Sequence, residues 1–178
     1  MQSARGRNSV SMNTQGTTRV LIERVTPQDV DRLLRIEQNS FSAPWTRKMF
    51  EVELNGNPFS YLFAARSIYD GHAPGEIVGY ICFWVVFDEL RVMNLAVEPS
   101  VRRQGIASEL VQYMLAFGRA QGAARAILEV RASNLAACGL YEQMGFRQTA
   151  VRTKYYTNPA EDAILMEMNL LVVAHGEQ

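Results

Sequence analysis

Hydrophobic and polar residues alternate over residues 19–25, which predicts a first β-strand. Thr26 and Pro27 then supply a helix cap and a proline at the first helical position, and the apolar spacing that follows extends to about Gln38. Residues 42–45 interrupt this pattern with Ser, Ala, Pro and Trp. The chain therefore opens with a strand followed by a helix.

The next stretches predict a second helix and a hairpin. Thr46 is the expected cap of this helix, and the Asn-Gly pair at residues 55–56 ends it. Two β-rich runs, at about residues 59–68 and 76–87, flank a segment rich in Gly, Asp and Pro. These two strands are expected to pair antiparallel.

The second half of the chain alternates between strands and helices. A strand at residues 90–97 precedes an amphipathic helix that reaches about Gln121, and another apolar run covers residues 126–130. A fourth helix and two strands complete a β-α-α-β-β-β-α-β-α-β-β order. The strand-helix-strand unit implies parallel neighbours and the hairpins imply antiparallel ones. The prediction is a single-domain α/β (α+β) fold with a mixed sheet of about seven strands and four helices.

Length and composition favour one domain. The 178 residues and 20.0 kDa suit a single hydrophobic core, and residues 19–172 form the expected domain. Residues 1–18 are rich in Ser, Thr, Asn, Gln and Gly, and residues 173–178 form a short C-terminal tail. The first tail is interpreted as disordered, although Arg and Ser without acidic residues also suit an organelle transit peptide.

Charge and cysteine content exclude several classes of function. Eighteen basic residues balance eighteen acidic ones and the pI is about 6.7, unlike the basic surface of a nucleic-acid-binding protein. Arg91 interrupts the most hydrophobic stretch, so no membrane-spanning helix is expected. Cys82 and Cys138 lack the spacing of a disulfide framework or a metal site. We expect free thiols in a reducing, cytoplasmic compartment and no bound metal.

The junction between the strand at residues 90–97 and the next helix is suited to binding an anion. Pro99 stops the strand, and Gly105 and Ala107 reduce the steric bulk of the turn. Free backbone N–H groups and the positive end of the helix dipole favour a phosphate at such a place. The alternative is a plain tight turn at Gly105 with solvated arginines.

The arrangement Arg102-x-x-Gly105-x-Ala107 resembles the acetyl-CoA pyrophosphate loop of the GNAT superfamily of N-acetyltransferases. Residues 128–134 and 140–147 resemble one branch of that superfamily, the bacterial ribosomal-protein-alanine N-acetyltransferases. The resemblance covers most of the chain, because further matches lie at residues 41–45, 94–97, 155–156 and 161–164.

The resemblance implies that acetyl-CoA binds as a co-substrate along one strand, where its pantetheine arm pairs, and over the following turn, which holds its pyrophosphate. The residues implicated are Leu95, Ala96, Val97, Arg102, Arg103, Gln104, Gly105, Ile106, Ala107 and Asn134. The helix is expected to begin near Arg103. Backbone groups do most of this binding, so the arginines are expected to position the pyrophosphate or to attract it by their charge. Asn134 can equally cap a helix.

Two further residues carry the chemistry that the resemblance implies. Glu129 matches the general base of the family, and Tyr141 matches the general acid that protonates the departing CoA thiolate. A carboxylate on a central strand is costly unless it is solvated or paired, and the alternative for Glu129 is a bond to Arg131 or to a helix end. The alternative for Tyr141 is a core tyrosine with a satisfied hydroxyl.

Acceptor recognition is expected at the loop after the first helix, at an acidic pair and near the connection between the last two strands. The candidates are Trp45, Asp88, Glu89, Tyr155 and Tyr156. An acidic pair can attract a cationic peptide N-terminus, but each of these residues can also be surface packing.

The leading hypothesis is transfer of acetyl from acetyl-CoA to the α-amine of a protein, specifically the N-terminal alanine of a small-subunit ribosomal protein. The partner is then that N-terminus, without nucleic acid or membrane, and a monomer is expected. An acetyltransferase for lysine side chains or small amines is the alternative enzyme. A non-catalytic acyl-CoA-sensing or protein-binding module is the alternative of another class, which Glu129 and Tyr141 disfavour because such a module needs neither.

Overall fold

The computed structural model describes residues 18–68 and 75–171 of the chain. The predicted tails lie outside the described residues except for Thr18, as does most of the turn between the two hairpin strands. Within the described residues, the predicted order of elements is confirmed.

The described chain contains seven strands, four α-helices and two short 3₁₀ turns. The strands are β1 (Arg19–Arg24), β2 (Ser60–Ile68), β3 (Ile77–Val86), β4 (Glu89–Val97), β5 (Arg125–Arg131), β6 (Arg147–Thr157) and β7 (Ala160–Asn169). The helices are α1 (Val30–Ser40), α2 (Arg47–Asn55), α3 (Ile106–Ala120) and α4 (Leu135–Gln143). The 3₁₀ turns cover Pro27–Asp29 and Pro99–Val101.

Two helix starts differ from the sequence prediction. The stretch Pro27–Asp29 forms a 3₁₀ turn, and α1 begins only at Val30. Helix α3 begins at Ile106 and not near Arg103, because Arg103 and Gly105 have positive φ angles of 64° and 86°. A left-handed backbone cannot continue into a right-handed helix. The turn between β4 and α3 is therefore longer than expected.

All seven strands form one mixed sheet in the order β1-β2-β3-β4-β5-β7-β6. Strands β4 and β5 are parallel, and the other neighbours are antiparallel. The β4–β5 pairing ends after three residue pairs, the last being Arg91 with Ile127. Beyond that point β4 stays paired with β3 up to Val97, and β5 stays paired with β7 up to Arg131. The two central strands thus diverge, and a cleft opens between them.

Side chains alternate between the two faces of the sheet, and each face has its own core. Helix α3 covers one face, where a buried cluster includes Leu110, Met114 and Tyr141. Helices α1 and α2 cover β2, β3 and β4 on the other face, around Leu33 and Phe50. The cleft therefore lies between these two packed layers, with α1 close to its β4 wall.

Candidate active site

The turn between β4 and α3 is an open cradle of backbone groups. Gly105 caps α3 with a φ of 86°, and a Cβ at this position would meet no atom within 4 Å. The first turn of an α-helix presents N–H groups that have no carbonyl partner within the helix. These groups and the helix dipole can hold a phosphate, and the space above Gly105 leaves room for it.

Two polar side chains of this turn, those of Arg102 and Gln104, form hydrogen bonds to other parts of the protein. Arg102 donates from Nε to the carbonyl of Val97 and from Nη2 to Oγ of Ser40, each at 2.9 Å. The Oε1 atom of Gln104 accepts hydrogen bonds from the backbone and the hydroxyl of Thr18. Because these two side chains bond within the protein, the backbone N–H groups of the turn are its candidate donors to an anion, which stays a prediction.

One edge of β4 faces the cleft. Leu95, Ala96 and Val97 pair with β3 through their other edge. Met93 is an extra residue in β4, since Asn94 pairs with Cys82 while Val92 pairs with Phe83. The edge that faces the cleft lies beyond the last residue pair with β5, so its backbone groups can pair with an extended ligand. The three predicted pantetheine-binding residues lie on this edge.

Glu129 lies on β5 beyond the point where the two strands separate. Leu128 and Val130 are buried in the α3 core, so the alternating geometry turns Glu129 toward the opposite face. Its carboxylate pairs with Nη1 of Arg152 on β6 at 2.7 Å. The Tyr155 phenol donates a hydrogen bond to the same carboxylate, and this bond raises the pKa of Tyr155. The partner of Glu129 is Arg152 and not Arg131, which sequence reasoning had offered as the alternative.

Tyr141 lies on the face of the sheet that α3 covers, opposite to Glu129. Its side chain on α4 is 5% exposed and packs edge-to-face on Phe146 at 5.6 Å between ring centroids. Burial raises the pKa of the Tyr141 phenol, and the neighbouring Cys138 and Tyr156 raise it further. The hydroxyl is therefore protonated at neutral pH.

Arg131 organises the connection between β6 and β7. Its guanidinium donates to the carbonyls of Asn158 and Pro159 at 2.9 and 3.1 Å and pairs with Glu161 at 3.2 Å. The same group stacks over the Tyr156 ring at 4.0 Å. This role was not predicted, although Arg131 belongs to the motif that carries the resemblance. A strand-terminal arginine has no sequence signal for partners about thirty residues away.

The structure brings some of the predicted acceptor residues to the cleft and places others elsewhere. Tyr155 lies at Glu129, and Tyr156 lies at Arg131. Trp45 lies on the loop between α1 and α2, at residues 41–46, and its ring packs against Phe50.

Asp88 and Glu89, predicted acceptor residues, lie at the end of β4 that is remote from the cleft. The cleft opens toward Val97, whereas Glu89 begins the strand and Asp88 precedes it. The Asp88 carbonyl accepts from Ala124 N–H at 2.7 Å, and Glu89 pairs with Arg91 and Arg125. Asp88 and Glu89 therefore stabilise the end of the sheet at which β4 and β5 are paired.

The remaining predictions concern Asn134 and the cysteines. Asn134 caps α4, with Oδ1 accepting from Ala137 N–H at 3.2 Å, as its alternative interpretation stated. Cys82 and Cys138 are both free thiols, and burial raises the pKa of Cys82 to about 12. In the described part of the chain, His, Cys, Asp and Glu side chains form no cluster that could hold a metal ion. None of the described helices is long and apolar enough to span a membrane.

Residues 30–146 match the model of the acetyltransferase (GNAT) family. The chain belongs to this family. It is 32% identical over 142 residues to the [ribosomal protein bS18]-alanine N-acetyltransferase of Escherichia coli K12, covering 79% of this chain and 90% of that protein. It is 33% identical over 153 residues to the same-named Haemophilus ducreyi protein, covering 84% and 100%.

The structural comparison agrees with the sequence comparison. The crystal structure of the ribosomal-protein-S18-alanine N-acetyltransferase from Escherichia coli matches 90% of this chain and 99% of its own, with a TM-score of 0.76 and 30% identity. This acetyltransferase therefore uses acetyl-CoA, the acetyl donor of its family. The open turn at Gly105 and the cleft edge of β4 fit such a ligand, since both offer backbone groups and space.

Proposed function

We propose that this acetyltransferase transfers the acetyl group of acetyl-CoA to the N-terminal α-amine of a protein, the N-terminal alanine of ribosomal protein bS18. The observation that carries the proposal is the divergence of β4 and β5, with Glu129 on one face of the sheet and Tyr141 on the other. The names of the relatives support the choice of acceptor.

In this proposal the backbone of the β4–α3 turn holds the pyrophosphate, and the cleft edge of Leu95, Ala96 and Val97 pairs with the pantetheine arm. Acetyl-CoA supplies an activated thioester. Ile106 and Ala107 contribute N–H groups at the helix start. The side chains of Arg102, Arg103 and Gln104 shape the turn or steer the anionic ligand toward it. Asn134 combines its capping bond with a contact to the ligand.

Glu129 is the proposed general base and Tyr141 the proposed general acid. The acceptor arrives as an ammonium ion and must lose a proton before its nitrogen can attack, and Glu129 accepts that proton directly or through water. An ammonium ion has the charge to compete with Arg152 for this carboxylate. Tyr141 is protonated at neutral pH, because burial raises the pKa of its phenol, and its O–H group can donate to the sulfur as the thiolate departs.

An α-amine suits a carboxylate base better than a lysine amine does. At a fixed pH a lysine amine costs roughly 3.5 kcal/mol more to deprotonate than an α-amine. Trp45, Tyr155 and Tyr156 are proposed to line the acceptor groove between the α1–α2 loop and the β6–β7 hairpin. We further propose that the enzyme acts as a monomer in the cytoplasm, where ribosomal proteins are made.

Competition between two peptides tests the proposal. The first peptide carries the N-terminal sequence of bS18 beginning with alanine, and the second is the same peptide with a blocked N-terminus and one lysine. We expect acetylation of the first at least about 100-fold faster, as the difference in deprotonation cost implies. Equal or faster transfer to the blocked peptide, read by intact mass, would mean that the acceptor class is wrong.

A further inference from the structure

A buried carboxylate lies outside the groups used so far. Glu37 on α1 is 1% exposed, and its place in the helix is in phase with the buried Val30 and Leu33. Charged side chains are rarely this buried, because the lost hydration must be replaced by hydrogen bonds. Its spacing within an apolar stripe is a sequence signal that motif reasoning passed over.

Three neutral donors from three elements replace the hydration of Glu37. The backbone N–H of Trp45 in the 41–46 loop donates to Oε1 at 2.8 Å, and the Tyr80 hydroxyl on β3 donates to Oε2. The amide of Asn94 on β4 lies 3.2 Å from both oxygens. One side chain thus fixes the loop before α2 to two strands of the sheet.

Aromatic side chains also pack where the 41–46 loop meets the sheet. The Trp45 ring packs edge-to-face on Phe50 at 5.3 Å, and Phe50 packs edge-to-face on Tyr80 at 5.5 Å. The loop is therefore held at its backbone by Glu37 and at its side chain by Phe50. Trp45 is thus held by both its backbone and its ring.

The end of α1 also contacts the cofactor turn. Ser40 accepts from Arg102 at 2.9 Å, and Arg32, in the first turn of the same helix, pairs with Glu98 at 3.0 Å. The last turns of α1 thus carry both the proposed acceptor loop and one support of the β4–α3 turn. Glu37 supports the acceptor loop, and Ser40 supports the β4–α3 turn.

We infer that Glu37 is a positioning residue for the acceptor peptide. Its carboxylate holds the 41–46 loop against β4 at Asn94, and this fixes the wall of the groove where the acceptor N-terminus lies. The inference rests on the proposed function for the identity of the groove. It assigns Glu37 no contact with the reacting atoms.

The Glu37→Met variant tests this role because methionine has a similar length but its thioether is only a weak acceptor for the Trp45 N–H. We expect the KM for the alanine-starting peptide to rise at least about ten-fold, with the KM for acetyl-CoA within about two-fold of the parent. Glu37→Gln retains an oxygen for the Trp45 N–H and should return the peptide KM to within about three-fold.

Tyr80→Phe is the matched control. It removes a donor to the same carboxylate from β3 and leaves the Trp45 contact in place. We expect it to lower the melting temperature while the peptide KM stays within about two-fold of the parent. A peptide KM that follows melting temperature across all three variants would reduce Glu37 to a purely structural role and overturn the inference.

Hydrogen exchange at the Trp45 amide gives a readout that does not need acetyl transfer. Exchange should accelerate at least about ten-fold in Glu37→Met and stay near the parent rate in Glu37→Gln. Unchanged exchange in Glu37→Met contradicts the inference even if activity is lost. If the parent itself does not acetylate alanine-starting peptides, the proposed function fails, while the exchange experiment still decides whether Glu37 holds the loop.

Discussion

The two walls of the cleft are built by different means. On the proposed cofactor side, the turn after β4 offers backbone N–H groups around Gly105, and the Arg102 and Gln104 side chains bond to Val97, Ser40 and Thr18. On the proposed acceptor side, side chains from separate strands meet at Glu129 and Arg131. A wall of backbone groups tolerates side-chain changes, whereas a wall of side chains does not. Cofactor binding and acceptor binding should therefore respond to different substitutions.

The largest effects are expected at the two proposed catalytic side chains. Tyr141→Phe should lower kcat about 10²- to 10⁴-fold across roughly pH 6 to 9, because thiolate departure is unassisted at every pH. Glu129→Gln should lower kcat by a similar factor, most strongly at low pH, where the acceptor amine is still charged. Acetyl-CoA affinity, measured by calorimetry, should survive both changes. Turnover within a few-fold of the parent in both variants would leave catalysis to positioning alone.

Gly105→Val should break the cofactor wall through its backbone. A β-branched residue at a φ of 86° is strained by about 1 to 3 kcal/mol, and the turn can relieve this strain by rearranging. The KM for acetyl-CoA should rise about 5- to 100-fold, with a much smaller change in the peptide KM.

Gly122 offers a matched control at the other end of α3. It has the same φ of 86° and the same open surroundings, so Gly122→Val adds the same strain far from the cofactor turn. We expect it to lower the melting temperature and leave the acetyl-CoA KM unchanged. Equal rises in that KM for both variants would show that global destabilisation, and not the turn, is responsible.

Arg131→Lys should weaken the acceptor wall without removing a charge. Lysine cannot reproduce the fork that reaches Asn158 and Pro159 while stacking on Tyr156. The weakened contacts to the β6–β7 connection, worth about 1 to 2 kcal/mol, should raise the peptide KM about 5- to 30-fold. Acetyl-CoA binding should be unchanged. Arg125→Lys, which alters an ion pair with Glu89 at the closed end of the sheet, is the control and should change neither constant.

The smallest effect is expected from acid. Hydrogen bonds from Ser133 and Arg131 hold the pKa of Glu161 below its ordinary value of 4.5. The stabilisation is therefore present at neutral pH and is lost as pH falls below about 4.5 through the lowered value. Amide exchange at Ser133, relative to its intrinsic rate at each pH, should accelerate over that range. In Glu161→Gln this relative rate should not change with pH. Acceleration at the Gly105 turn before Ser133 would contradict the comparison of the two walls.

Local features could be predicted from the sequence because their causes lie within a few residues. The Thr46 cap accepts from Met49 N–H as expected, Asn55 and Gly56 end α2, and Pro99 stops β4. The cofactor turn was also predictable, because a strand, a glycine and a helix follow one another along the chain. Its helix start was misplaced by three residues, since a positive φ at Arg103 has no signal in an arginine.

The acceptor wall depended on tertiary structure. Glu129 reaches Arg152 across the intervening β7, and Arg131 reaches the β6–β7 connection, so both contacts follow from strand order and register. Asp88 and Glu89 have suitable chemistry but lie at the end of β4 where the strands are still paired. The sequence by itself determined the order of the elements, and it supplied the predictions of a cofactor-binding turn and of two catalytic candidates. Only the fold decided which distant side chains meet, because a one-residue change in register moves every side chain of a strand to the other face.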